Sequence, residues 1–174
     1  MFQIILNIKN IIDKKIMKNL HEVIYEKLKI KKSKYKYFPK TRNQLMDIIE
    51  EKIESVKNID DHGNKTIDVS DIDISNLTKL SLVFSYYDNI KEITGLEYWD
   101  VYEIIDMHEM FNNCTNLQYV KGIENWDVSN CDRFEGMFHD CISLQKLDLT
   151  AWKIKKSAMT TAMFKGCNTN IIKI

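Results

Sequence analysis

The fold is decided by the stretch Trp126-Asp127-Val128-Ser129-Asn130-Cys131-Asp132-Arg133-Phe134-Glu135-Gly136-Met137-Phe138-His139-Asp140-Cys141-Ile142-Ser143-Leu144. Its marker residues are a tryptophan, a Met-Phe pair and a cysteine, and they occur again on both sides of it. The steps between the copies are 27 and 26 residues, which gives further markers at Trp99, Met110-Phe111 and Cys114, and at Trp152, Met163-Phe164 and Cys167. A fixed period of this length predicts a solenoid, in which neighbouring repeats bury one another's apolar faces.

The array begins before the first tryptophan. Ile72-Asp73-Ile74-Ser75-Asn76 matches Trp126–Asn130 at twice the period, and Phe84 stands 27 residues before Phe111. The sequence therefore predicts four repeats, starting at Ile72, Trp99, Trp126 and Trp152. The predicted domains are a helical and basic cap region over residues 1–66 and a repeat region over residues 67–174.

Each repeat has a local pattern of its own. The Asp-x-Ser-Asn stretch suits a turn or a helix N-cap. Apolar residues at spacings of three, three and one then predict a short helical segment, as in Leu77, Leu80, Val83 and Phe84. Short strands are predicted after the cysteine position, around residues 117–123 and 144–149. Equivalent side chains would stack, which places Phe84, Phe111, Phe138 and Phe164 in the core.

A helix is predicted before the array. Thr41 is a suitable N-cap, and Gln44 three residues later completes a capping box. Its apolar face would cover the exposed end of the first repeat. Apolar residues at helical spacing also predict an amphipathic helix within residues 1–30.

Charge is unevenly distributed although the net charge is zero. Residues 1–42 hold 12 Lys/Arg and three acidic residues, whereas residues 67–152 hold 16 acidic and five basic residues. The acidic repeats favour a basic partner, because complementary charge guides association. The predicted partner-binding residues are Asp100, Glu103, Asp106, Glu109, Asp127, Asp132 and Glu135.

A basic run spans residues 27–42, with eight Lys/Arg, no acidic residue, and three aromatic residues among them. One interpretation is an anion or nucleic-acid contact through Lys31, Lys32, Lys34 and Lys36, since lysines bind phosphate and aromatic rings stack on bases. Two structural interpretations are favoured over it. They are an edge strand over residues 34–38, kept from edge pairing by its lysines, and docking onto the acidic part of the same chain.

The pattern W-D-V-S-N-x-x-x-F-x-G-M-F-x-x-C-x-S-L, from Trp126 to Leu144, resembles the BspA-like repeats of bacterial surface proteins, a leucine-rich-repeat-like family also found in mycoplasma. The match covers roughly residues 67–167, and the segment from Tyr37 to Thr41 resembles the N-terminal cap of such proteins. The resemblance implies an α/β, short right-handed leucine-rich-repeat-like solenoid of four repeats with an N-terminal helical cap. It also implies protein binding or adhesion without enzymatic activity.

No cofactor, catalytic residue or metal ion is predicted. The five glycines are scattered and form no phosphate-binding loop. Cys114, Cys141 and Cys167 in register beside His139 suggest zinc, yet repeat positions align for packing reasons alone, and the chain has no C-x-x-C pair. The cysteines are therefore predicted to be buried and reduced.

We expect a cytoplasmic protein, because the sequence shows neither a signal peptide nor a lipid-attachment cysteine, and no membrane-spanning segment. The predicted function is a non-enzymatic protein–protein interaction module. The alternative is a small intracellular inhibitor, such as a phage or mobile-element anti-defence protein of the anti-CRISPR kind, that binds a nucleic-acid-processing enzyme through its acidic repeats. Direct nucleic-acid binding is least favoured.

Overall fold

The computed structural model describes residues 35–168 and 172–173. The elements described here all lie within one compact unit, Lys36–Ile174. In chain order they are α1 (Arg42–Ser55), β1 (Lys65–Asp68), β2 (Ile90–Thr94), β3 (Tyr119–Val120), β4 (Leu147–Asp148) and β5 (Ile172–Lys173). Short 3-10 helices at Leu96–Tyr98 and Ile123–Asn125 follow β2 and β3. The helix predicted within residues 1–30 lies outside the described residues.

Helix α1 begins where the sequence predicts it. The Thr41 hydroxyl oxygen accepts a hydrogen bond from the backbone N–H of Gln44 at 3.2 Å, and the Gln44 side-chain oxygen accepts one from the N–H of Lys40 at 2.7 Å. These two bonds use side chains to satisfy the first turn of the helix. Leu45, Ile49 and Ile53 form its buried face and belong to the same hydrophobic core as the repeats.

The strands form two small parallel sheets. Strands β1, β2 and β3 pair in that order, with Ile67 beside Ile93 and Ile93 beside Val120, and β4 pairs separately with β5. The short strands predicted after the cysteine position are confirmed at β3 and β4. Because the three strands of the first sheet lie about one repeat apart in the sequence and run parallel, equivalent residues of those strands lie side by side.

The helical segments predicted within the repeats are wrong. The residues between the Asp-x-Ser-Asn stretch and the cysteine form consecutive turns, and two residues of this stretch have positive φ in each repeat. A left-handed residue every four positions cannot belong to a right-handed helix. These residues are Leu82 and Tyr86, Glu109 and Asn113, Gly136 and Asp140, and Ala162 and Gly166.

Backbone hydrogen bonds run between successive repeats along these turns. The N–H of Phe84 donates to the oxygen of Met110, that of Phe111 to Met137, and that of Phe138 to Met163, each at 2.9 Å. The same connection recurs two residues earlier, where Glu109 donates to Glu135 at 2.8 Å. The spacing of three, three and one thus reflects turns that bond to the next repeat.

The predicted fold class is therefore wrong. Neither a four-repeat leucine-rich-repeat-like solenoid nor a separate N-terminal helical cap describes the structure. Residues 35–168 and 172–173 contain a single α-helix, one three-stranded parallel sheet and one two-stranded sheet. The physical reason is that the turns bond to the next repeat instead of closing the i to i−4 bonds that a helix needs.

The marker residues of the repeat form columns inside the molecule. Ring centroids are 5.3 Å apart between Phe84 and Phe111, 5.1 Å between Phe111 and Phe138, and 5.7 Å between Phe138 and Phe164. The prediction of buried rings is confirmed for the first three, which are fully buried, whereas Phe164 is half-buried. Each large side chain buried in this way contributes about 1.5–3 kcal/mol.

The tryptophans and cysteines add hydrogen bonds to this packing. The indole N–H of Trp126 donates to the oxygen of Leu96 at 2.9 Å, and that of Trp152 to the oxygen of Ile123 at 2.7 Å. The thiol of Cys141 donates to the oxygen of Phe111 at 3.1 Å. Each marker donor satisfies a carbonyl of the preceding repeat, so these residues are needed for polar as well as apolar reasons.

Candidate interaction surface

One strip of exposed and half-exposed side chains crosses all four repeats, and we call it the loop strip. It consists of the first, third and fourth residues after the tryptophan position in each repeat. Cross-repeat hydrogen bonds hold its members side by side: the Asn130 amide donates to the oxygen of Tyr102 at 3.0 Å, and the Lys155 ammonium donates to the oxygen of Asn130 at 3.0 Å. The strip comprises Asp73, Ser75, Asn76, Asp100, Tyr102, Glu103, Asp127, Ser129, Asn130, Lys153, Lys155 and Lys156.

Its aspartates fix the local backbone. The carboxylates of Asp73, Asp100 and Asp127 accept the N–H two residues later, at 2.9, 3.1 and 3.1 Å. This is the Asx turn that the Asp-x-Ser pattern suggests. The hydrogen bonds from Ser129, with a smaller contribution from the charge of Lys153, lower the pKa of Asp127. Asp127 therefore stays ionised at neutral pH.

The charge of the loop strip reverses in the last repeat. The first residue after the tryptophan position is aspartate in repeats 1 to 3 and Lys153 in repeat 4. The fourth residue is Glu103 in repeat 2 and Lys156 in repeat 4. Asp100, Glu103, Lys153 and Lys156 are all exposed. One surface thus carries an acidic segment and a basic segment.

The predicted acidic residues fall into two groups. Asp100, Glu103 and Asp127 lie on the loop strip and are exposed. The other four lie further along each repeat, where the described structure supplies partners for them. Lys155 binds Asp132 at 2.8 Å, and the Glu109 carboxylate accepts a hydrogen bond from the Asn112 amide at 3.1 Å.

Asp106 and Glu135 belong to a small charged network around Arg133. The guanidinium lies 3.6 Å from the Asp106 carboxylate and 3.2 Å from that of Glu135. Asp106 is buried and also bonds to its neighbour His108, whose N–H lies at 3.1 Å and whose ring Nδ1 lies at 2.7 Å. Because the carboxylates face a cation of the same chain, this network offers less net negative charge to a partner than the sequence suggests.

Of the four lysines predicted to contact an anion, Lys31, Lys32 and Lys34 lie outside the described residues. Lys36 is exposed, and its ammonium donates to the Tyr37 hydroxyl at 2.7 Å, which raises the pKa of Lys36. The Tyr37 hydroxyl donates to Glu51 at 3.3 Å, and the backbone of Tyr37 pairs in parallel with that of Ile72. Tyr37 thus pairs through its backbone with the first repeat and through its hydroxyl with an acidic residue of α1, and Lys36 bonds to that hydroxyl.

The cysteines are four free thiols. Burial raises the pKa of Cys114 to about 12 and that of Cys131 to about 11. The hydrogen bond with Cys167, together with burial, raises the pKa of Cys141. Among residues 35–168 and 172–173, no group of three or more His, Cys, Asp and Glu side chains could hold a metal ion. The thiols of Cys114, Cys141 and Cys167 donate to carbonyls of the preceding repeat. The thiol of Cys131 donates to the oxygen of Arg133 in its own repeat.

Two other features concern the surface. A shallow depression of about 440 Å³ lies at the start of α1 and is lined by Phe38, Pro39, Lys40, Gln44, Asp47 and Ile48. In the part of the chain that the structure describes, no helix is both long enough and apolar enough to cross a lipid bilayer.

Sequence reasoning missed the lysines of the loop strip. Lys153 and Lys156 were not among the predicted site residues, because the acidic residues were counted over the whole repeat region. The signal was present in the alignment of the repeats, where Lys153 occupies the position of Asp127. Comparing the charge at equivalent positions, repeat by repeat, would have found them.

Buried marker columns, cross-repeat hydrogen bonds and an exposed strip of varying residues define a repeat protein. The chain belongs to a family described as Mycoplasma protein of unknown function, DUF285, whose model matches residues 51–173. This match agrees with the resemblance to BspA-like repeats at the level of a related repeat family. No curated protein and no solved structure matches the chain.

Proposed function

We propose that this chain is a non-enzymatic protein–protein interaction module of the BspA-like repeat type, and that it binds its partner through the loop strip. The observation that carries the proposal is that each repeat contains buried positions of constant residue type and exposed positions of variable residue type. In repeats 2 to 4 the tryptophan, phenylalanine and cysteine positions keep the same residues and are mostly buried, whereas the strip positions change from repeat to repeat and are exposed or half-exposed. A fixed frame with variable exposed side chains is how repeat proteins present binding surfaces.

Two features of the strip support binding. Its backbone is held by Asx turns and by side-chain bonds to neighbouring repeats, so little conformational entropy is lost when a partner docks. It also presents apolar area beside charge, since Tyr102 is 46% exposed and the adjoining Ile105 is 45% exposed. Aromatic side chains with charged neighbours are frequent at the centres of protein interfaces.

We further propose that the protein acts in the cytoplasm. The four cysteines are free thiols, and three of them are buried. Thiols persist in reducing compartments, whereas oxidising compartments favour disulfides.

Photo-crosslinking from within the cell tests the proposed function. A benzophenone amino acid is placed at Tyr102 on the strip or at Ile142, which is 59% exposed but lies outside the strip. We expect a discrete protein adduct from position 102, weakened by Asp100→Asn with Glu103→Gln, and none from position 142. Adducts of equal yield from both positions, or none from position 102, would contradict the proposal.

A further inference from the structure

We propose that the loop strip docks against the loop strip of a second copy of this chain, with the lysines of repeat 4 in one copy facing the carboxylates of repeat 2 in the other. The inference rests on the proposed function, because it names the partner of the same surface. It is carried by the charge reversal along the strip and by the spacing of the repeats.

The charges needed for this contact are available at the surface. Lys155 is occupied by Asp132 at 2.8 Å, whereas Lys153 and Lys156 form no ion pair within 4 Å among the described residues. Asp100 accepts a bond only from the backbone N–H of Tyr102 among those residues, so its charge is not neutralised. One strip therefore carries two cations in repeat 4 and two anions in repeat 2, and none of the four is in an ion pair within 4 Å among the described residues, although Asp127 lies near enough to Lys153 for their charges to interact.

The spacing of the repeats suits two-fold symmetry. Phenylalanine rings lie 5.1 Å apart between repeats 2 and 3 and 5.7 Å apart between repeats 3 and 4. Repeats 2 and 4 therefore lie at nearly equal distances on either side of repeat 3. A two-fold axis at repeat 3 places repeat 4 of each copy opposite repeat 2 of the other, so every favourable contact is made twice.

Of the strip residues at the axis, Asp127 of each copy would face its own counterpart, and the nearby charge of Lys153 offsets this repulsion. Ser129 and Asn130 of repeat 3 are half-exposed and can face their own copies, since amide and hydroxyl groups both donate and accept. In repeat 2, Tyr102 is 46% exposed beside the carboxylates. A lysine approaching the carboxylates would lay its aliphatic stem along this ring and gain a cation–π contact.

A second copy satisfies the strip better than a partner of a single charge. A basic peptide would pair with Asp100 and Glu103 but would approach the like charges of Lys153 and Lys156. A polyanion would have the reverse conflict. The two charge segments lie on one continuous strip, so a partner with both signs in the opposite order is needed to pair the four charges of repeats 2 and 4.

Analytical ultracentrifugation of the full chain tests the proposal. We expect a dimer whose association constant falls at least about tenfold between 50 and 500 mM NaCl, because exposed charges are screened. Two charge-reversed variants, Asp100→Lys with Glu103→Lys and Lys153→Glu with Lys156→Glu, are each expected to be monomeric. Mixed in equal amounts they should form a dimer again, because each variant then meets the opposite charge at both contacts.

A matched control reverses exposed lysines outside the strip, in Lys146→Glu with Lys165→Glu, and should dimerise like the wild type. Monomeric wild type at about 1 mM chain, the limit of a weak specific complex, would overturn the proposal. So would a mixture of the two variants that stays monomeric. The crosslinking experiment separates this failure from that of the proposed function, because an adduct with a different protein supports binding through the strip but not self-association.

Discussion

The buried columns and the loop strip come from the same repeats, but the columns keep their residue types from repeat to repeat and the strip does not. Trp99, Trp126 and Trp152 occupy equivalent buried positions, whereas the residue that follows each of them is Asp100, Asp127 and Lys153. In the interior, repeats 2 to 4 keep tryptophan at this position, because a side chain that packs closely against its neighbours in the core is costly to change. On the strip no such constraint acts, so the chemistry of the surface can change within one period.

Truncating a ring in the column of stacked phenylalanines should cause the largest loss of stability. Phe111→Ala removes a fully buried ring that stacks on Phe84 at 5.3 Å and on Phe138 at 5.1 Å. We expect the free energy of unfolding to fall by about 3–5 kcal/mol, measured by urea denaturation. The control is Phe38→Ala, since Phe38 is 52% exposed. Equal losses in the two variants would mean that the column does not hold the repeats together.

Adding a side chain where adjacent repeats approach closely should cause a smaller loss of stability. Gly122 has a φ of +100°, and a Cβ atom added there would collide with the backbone nitrogen of Glu97 in the preceding repeat. Gly63 also has positive φ, at +82°, but has no atom within 4 Å of the added Cβ. We expect Gly63→Ala to cost about 1–2 kcal/mol from left-handed strain alone, and Gly122→Ala to cost more because of the collision. Urea denaturation of both variants measures the two losses. A similar loss in each would contradict the predicted collision at Gly122.

Alkaline pH should lower the free energy of unfolding, because the fold keeps a buried thiol protonated. Burial raises the pKa of Cys114 from 9.0 in the unfolded chain to about 12 in the fold. Below pH 9 the thiol is neutral in both states, and stability is unaffected. Above pH 9 only the unfolded chain loses the proton, so stability falls as the pH rises toward 12. We expect a loss of about 1 kcal/mol at pH 10.

Urea denaturation at pH 7.5 and pH 10 measures this effect. The control is Cys114→Ala, which is less stable at both pH values but should lose less stability between them than the wild type. An identical pH dependence in the two proteins would show that Cys114 ionises in the fold as readily as in the unfolded chain.

The loop strip should give the smallest effect on stability. Glu103→Gln changes an exposed side chain for which no ion pair is found within the described part of the chain. We expect the free energy of unfolding to change by less than about 0.5 kcal/mol. The association constant of the proposed dimer should nevertheless decrease, because one of two carboxylates facing the lysines is neutralised. A large loss of stability, again measured by urea denaturation, would mean that the strip residues are needed to hold the fold together.

The sequence predicts the parts of this structure that depend on local chemistry. The capping pair Thr41 and Gln44, the strands after the cysteines and the burial of Phe84, Phe111 and Phe138 all follow from residue type and spacing. The turns could not be predicted this way. Their left-handed residues include Leu82 and Tyr86, which are ordinarily unsuited to positive φ, and bonds to the next repeat hold them there.

The candidate surface was predictable in part. Asp100, Glu103 and Asp127 are exposed, as their charge in a polar turn suggests, and they stay predicted contact residues. Asp106 is buried, which its charge does not suggest, because Arg133 of the next repeat lies beside it in the folded chain. The self-association and the inhibitor hypothesis both remain predictions about the partner, and the charge-reversed variants decide the first.

Amide hydrogen exchange tests most directly whether backbone bonds between repeats hold the molecule together. Phe111 and Phe164 occupy the same position in repeats 2 and 4. The N–H of Phe111 donates to Met137 at 2.9 Å, whereas that of Phe164 has no partner among the described residues. We predict slow exchange at Phe111 and exchange at least about a hundredfold faster at Phe164. Equal protection at the two amides, as expected if both lay in helices, would contradict the cross-repeat hydrogen bonding.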